Sequence, residues 1–191
     1  DFVFELRDGT AVARAVNLKE LAEQIAAKSD LIRIGPEGHG IGQRGRGEHS
    51  LEVQVPFLQR TLGDFRIVPI VMGDQAEPVV RRLAARVADA VRESGKRVLL
   101  VASTDLSHYH DHDTAVELDS HILDAVGDFD PEGLLASLAR GECEACGGGP
   151  SATVMMAARE LGARSSSVVG YATSGDVTGD RAQVVGYMAA V

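Results

Sequence analysis

RIVPIVMGDQAEPVVRRLAARVADAVRESGKRVLLVAS, residues 66–103, decides the reading of the fold. Its middle, 76–93, spaces Val79, Val80, Leu83, Val87 and Val91 as one apolar helical face. RIVPIVM (66–72) and RVLLVAS (97–103) flank that helix as short, nearly continuous apolar runs. Strands covered on both faces of a parallel sheet have this composition. A right-handed strand–helix–strand crossover then predicts the two runs adjacent, or nearly so, in a mostly parallel sheet. Upstream, 18–28 reads as a helix, 31–34 as a short strand and 35–47 as a glycine-rich loop. Residues 50–62 read as a helix with Leu51, Val55, Leu58 and Leu62 on one face and a bend at Pro56. Downstream, 114–126, 131–140 and 150–162 read as helices, with Pro150 and Gly162 marking the ends of the last. SVVGYAT (167–173) and AQVVGYMAAV (182–191) read as strands of an antiparallel hairpin turned by SGDVTGD. The expected class is α/β: a three-layer sandwich around a mostly parallel mixed sheet, closed by that C-terminal hairpin.

The chain of 191 residues suits a single domain spanning 1–191. Hydrophobic residues make up 45% and charged residues 25%, enough for a packed core. A net charge of −9 argues against general nucleic-acid or anionic-lipid binding. Aromatic residues are 4% with no Trp, which argues against a base-stacking platform. No run reaches the length of a membrane span and no signal peptide is visible, so a cytoplasmic setting is expected. With two cysteines the chain has no disulfide framework.

Chemistry concentrates in three places. STDLSHYHDHD (103–113) follows the apolar run 97–103, where ligands gather in open α/β sheets. It carries Asp105 and His108, and a proton-transfer role suits a histidine there. His108, His110 and His112 alternate, so in an extended segment they would share one face, which invites a metal reading; a solvated loop is the plain alternative. EHSLE (48–52) places His49 three residues before Glu52, within reach on a helix, though acids also favour a helix start without any other role. ECEACGGGP (142–150) carries Cys143 and Cys146 ahead of a helix. That spacing admits a dithiol redox pair or part of a metal site, but no further cysteine exists to complete a four-thiolate site. Tyr171 reads as core with its hydroxyl at a rim.

EHSLEVQVPFLQ (48–59), FRIVPIVMG (65–73), ASTDLSHYH (102–110), CGGGP (146–150) and VGYATSGDVTGDRAQVVGYMAA (169–190) together resemble the Memo family, the AmmeMemoRadiSam system protein B. The resemblance covers about residues 48–190. It implies a fold shared with the LigB-like class III extradiol dioxygenases and a pocket with two metal-binding histidines and a cysteine. It places the cysteine on Cys146 and the pocket-lining residues on His49, Asp105 and His108, which would act catalytically. The two metal-binding histidines of the family lie upstream of EHSLE, in a PHAGY-like and a GPSH-like motif. No PHAGY is present; GPEGH (35–39) is similar to the second, with His39 as the match. The resemblance thus implies an N-terminally truncated or divergent single domain. Fe(II) or Cu(II) would be held in the intact protein, weakly or not at all by this chain. The implied function is that of a non-haem-metal oxidoreductase on a small aromatic or redox-active substrate. The alternative is a non-enzymatic scaffold binding a peptide or protein partner in the same cleft. The family name also implies functional association with a radical-SAM enzyme and its companion protein.

Overall fold

A computed structural model describes residues 2–7, 10–15, 32–33, 50–62, 65–68 and 70–191. The expected helix 18–28, most of the glycine-rich loop, His39 and His49 lie outside the described residues. The elements are β1 (Phe2–Arg7), β2 (Thr10–Ala15), β3 (Ile32–Arg33), α1 (Ser50–Leu62), β4 (Arg66–Ile67), β5 (Ile70–Val71) and α2 (Glu77–Ser94). They continue as β6 (His108–His110), α3 (His112–Gly127), α4 (Pro131–Arg140), α5 (Gly148–Glu160), β7 (Val168–Thr173), α6 (Ser174–Thr178) and β8 (Val184–Ala190).

The chain divides into two compact units, 1–74 with 86–99, and 75–85 with 100–191. In the first, β1 pairs with β2 and β5, and β3 pairs with β4. In the second, β8 lies between β6 and β7. Every strand pairing among the described residues is antiparallel.

The mostly parallel three-layer sandwich is therefore corrected to a mixed α/β fold with small antiparallel sheets. The run 97–103 forms no strand, and Val98, Leu99 and Val101 are exposed, Leu99 by 63%. The physical reason is that a continuous apolar run reports strand preference and a tendency to be covered; it does not name a partner. No described strand pairs with it. The run 66–72 likewise yields two short pieces, and these join antiparallel partners. The C-terminal hairpin forms as expected, with Tyr171 opposite Met188 and Thr173 opposite Gly186.

Local chemistry explains the helices of the second unit. The side chain of Asp111 caps α3 by accepting the Thr114 amide. α4 starts with Asp130 as cap and Pro131 in its first turn, and ends at Gly141 with φ 69. α3 buries Ala115, Asp119, Ile122 and Val126, a 4-3-4 stripe with one carboxylate in it. α5 buries most of its length up to Ala157, including Ser151, Ala152, Met155 and Met156.

Glu132, in the first turn of α4, ties three helices. It takes Arg159 of α5 at 2.5 and 3.0 Å and Arg81 of α2 at 3.4 Å. Arg159 first, then Arg81, holds its carboxyl below the ordinary 4.5. A carboxylate lowered on folding contributes stability that is full above 4.5 and lost as pH falls through its lower folded value. Glu132→Gln is expected to cost at most about 1 kcal/mol of stability at neutral pH, seen as a lowered melting midpoint, because half-exposed charges are screened. Thermal melts over a pH series check this: the gap from the wild type should close in acid, and a gap that persists there contradicts it.

Candidate functional site

The segment 103–108 and the turn 142–149 meet in the second unit. The backbone carries most of the contact: Cys146 N–H donates to Asp105 O at 3.2 Å, and Asp105 N–H donates to Cys146 Sγ at 3.1 Å. Thr104 Oγ1 donates to Asp105 O at 2.7 Å, accepts Gly147 N–H at 2.9 Å and stands 3.9 Å from the sulfur. This approach requires glycine at 147, where a Cβ would overlap Ser103 O and stand 2.8 Å from Thr104 Cβ. Gln75 closes the other side. Its Nε2 donates to Cys146 O at 2.8 Å, and its Oε1 accepts Gly149 N–H at 2.7 Å. A side-chain amide thus satisfies a donor that α5, capped by Gly147 with no side-chain bond, would otherwise leave open.

Cys146 is exposed and free, while Cys143 is free and 3% exposed. Burial first, and then the charge of Glu142, pushes the Cys143 thiol up, with Asp119 and Glu144 adding to it. Asp105 turns its carboxylate to His108, with Oδ2 3.8 Å from Nε2.

The alternating histidines do not share one partner. His108 opposes Val185 and His110 opposes Val184, so an extra residue, Tyr109, bulges out between them. Neighbouring residues of β8 point to opposite faces, and the two imidazoles part accordingly. His108 meets Asp105, His110 Nε2 meets Glu144 Oε2 at 2.9 Å, and His112 Nδ1 meets Thr173 Oγ1 at 3.2 Å. Tyr109 adopts φ 62 and is 72% exposed, with its ring beside the His108 ring, 5.8 Å between centroids.

Behind the site lies a second polar group. Asp119 of α3 is fully buried and accepts Ser107 N–H at 2.9 Å and Tyr171 O–H at 2.8 Å. Burial and then that carboxylate push the Tyr171 phenol well above its ordinary value. Ser107 Oγ is buried with no hydrogen-bond partner. An unpaired buried hydroxyl costs stability, so Ser107→Ala is expected to be neutral or to stabilise by up to about 1 kcal/mol. A fall in the urea midpoint would show instead that the hydroxyl is satisfied in solution.

Among the described residues, no group of three or more His, Cys, Asp or Glu side chains is arranged to hold a metal ion. No described helix is long and apolar enough to cross a membrane. Of the residues expected at the site, the structure links Cys146 to Asp105 and Asp105 to His108. His39 and His49 lie outside the described residues. Gln75, Thr104, Glu144 and Asp119 were not expected. Asp119 alone had a signal in the sequence, as a carboxylate at helical spacing among Ala115, Ile122 and Val126.

A family model described as Memo-like protein matches residues 19–191, beginning well ahead of the span 48–190 that carries the resemblance. A MEMO1 family protein of Methanosarcina acetivorans is 45% identical over 145 residues, 75% of this chain and 54% of the relative. One from Methanococcoides burtonii is 46% identical over 147 residues, 76% and 55% of the two chains. One from Methanothermobacter thermautotrophicus is 40% identical over 168 residues, 88% and 58%. The chain spans about half the length of the curated relatives it matches.

Proposed function

Because the chain belongs to the Memo-like protein family, we propose that it supplies the thiol, carboxylate and imidazole of an oxidoreductase site for a small aromatic or redox-active substrate. The whole protein would use a non-haem metal, Fe(II) or Cu(II). The described residues do not make a centre for that metal by themselves. Cys146 offers one soft donor, but its sulfur accepts the Asp105 amide, and the Asp105 carboxylate turns to His108. Metal centres need roughly three converging protein ligands.

This chain's own residues would bind and move protons. Asp105 orients the His108 imidazole, which exchanges a proton with substrate. The Asp105 amide donates to Cys146 Sγ and holds the sulfur in place just ahead of α5. Functional association with a radical-SAM enzyme and its companion protein belongs to the same reading.

The observation that carries the proposal is the continuous contact from Cys146 Sγ to Asp105 at 3.1 Å and from Asp105 to His108 at 3.8 Å. Metal analysis of the intact gene product, wild type against Cys146→Ala, tests it. Near-stoichiometric metal lost in the variant supports the oxidoreductase. Metal-free protein in both, with retained binding of a peptide partner, replaces it with the scaffold.

A further inference from the structure

We infer that Asp119 is a positioning residue for the Cys146–Asp105–His108 group, acting from α3 through the amide of Ser107. The inference rests on the reading of that group as a site.

Asp119 sits in a helical stripe whose other members, Ala115, Ile122 and Val126, are apolar and buried. A carboxylate in such a place is costly unless its oxygens are well used. The strands spend theirs on it from three directions. Ser107, just before β6, gives an amide at 2.9 Å; Tyr171 of β7 gives a hydroxyl at 2.8 Å. Gly186 of β8 gives room, since a Cβ there would overlap Asp119 Oδ2.

The Ser107 amide needs this acceptor for a backbone reason. Leu106 N–H donates to Gly186 O, and Gly186 N–H donates to Ser107 O. Leu106 and Ser107 therefore both face the single residue Gly186, which is a β-bulge, and the bulge takes Ser107 N–H out of the ladder. Buried amides left without an acceptor are rare because they are costly. The Ser107 hydroxyl does not fill the gap, being itself unpartnered. Asp119 Oδ1 replaces the missing ladder acceptor and so fixes the bulge. The bulge, Leu106 and Ser107, is the whole link between His108 and Asp105, whose amide faces Cys146 Sγ.

The test compares Asp119→Ala, Asp119→Asn and Tyr171→Phe on the full chain. Mass spectrometry follows alkylation of Cys146 by iodoacetamide and modification of His108 by diethylpyrocarbonate, at fixed neutral pH and well below each melting midpoint. Cys143, 3% exposed, is the internal monitor of unfolding. Asp119→Ala is expected to slow Cys146 alkylation severalfold and to raise His108 modification while Cys143 stays protected. Asp119→Asn keeps an acceptor for Ser107 and should restore both rates. Tyr171→Phe removes the other bond to the same carboxylate, so it should lower the midpoint yet leave both rates as in the wild type. If Asp119→Ala does not fold, Asp119→Ser, with space for a water, takes its place. Wild-type rates in the Ala or Ser protein at a lowered midpoint would overturn the inference and leave Asp119 a purely structural residue. Failure of the oxidoreductase reading would appear separately, in the metal analysis, and would not alter these rates.

Discussion

Gly186→Ala is expected to destabilise the second unit by about 3 kcal/mol or more, through overpacking and two broken buried hydrogen bonds. The added Cβ would overlap Asp119 Oδ2 and stand 2.8 Å from its Cγ. A flexible surface side chain would swing away, but this carboxylate is fully buried and held at 2.9 Å by Ser107 and at 2.8 Å by Tyr171. Moving it leaves an amide, a phenol and a carboxylate without partners inside the core. The backbone of β8 has little freedom either, since Gly186 bonds to both Leu106 and Ser107. Gly170 in β7 is the matched control: a Cβ there meets nothing within 4 Å. Urea denaturation of the two variants decides the matter. A Gly186→Ala midpoint close to that of Gly170→Ala would sink the steric account.

How much of this was legible in the sequence depends on the kind of signal. Helices announced themselves by period and by end chemistry. Val80, Leu83 and Val87 of α2 are buried as their spacing requires, and α4 occupies 131–140, bracketed by its Asp130-Pro131 start and Gly141. The hairpin of β7 and β8 was also legible, because two apolar runs flank a segment rich in Gly and Asp. That segment, read as a turn, folds as the short helix α6, for which Thr173 and Asp176 form a reciprocal cap. Pairing between strands distant in the chain was not legible. The run 97–103 has the composition of a central parallel strand, yet strand partners come from elsewhere in the chain and no local pattern encodes them.

The site divides in the same way. Asp105 and His108 stand out because they follow an apolar run, and Cys146 because it precedes three glycines and a helix. Gln75 and Thr104 do not, although they hold the Cys146 turn from 71 and 42–43 residues away. Single polar residues without periodicity leave no trace in a sequence. The alternation of His108, His110 and His112 was legible but misleading. It predicts one shared face only for a regular strand, and Tyr109 at φ 62 breaks that regularity.

Cys146→Ser is expected to abolish metal retention and any turnover of the intact gene product, while Cys143→Ser leaves both nearly unchanged. The two thiols lie in one turn but in different surroundings. Cys146 is exposed, its sulfur accepts the Asp105 amide at 3.1 Å, and it directly precedes the Gly147 cap of α5. These features leave the sulfur open to solvent with a hydrogen-bond donor beside it, as a metal ligand or a nucleophile needs. Cys143 is buried, and burial together with the charges of Glu142, Asp119 and Glu144 pushes its thiol up. A thiol kept protonated and out of solvent is a poor nucleophile, so its replacement should register as lost packing, about 1 kcal/mol. Thiol–disulfide exchange would need Cys143 to reach Cys146 as a partner of matched reactivity, and both are free thiols in the structure. Metal content, turnover and the melting midpoint of each serine variant separate the readings. Equal and severe functional losses from both, with a reversible Cys143–Cys146 disulfide of measurable potential, would overturn the ligand role in favour of a dithiol redox pair. A midpoint loss confined to Cys143→Ser and a functional loss confined to Cys146→Ser would place the chemistry on the exposed sulfur alone.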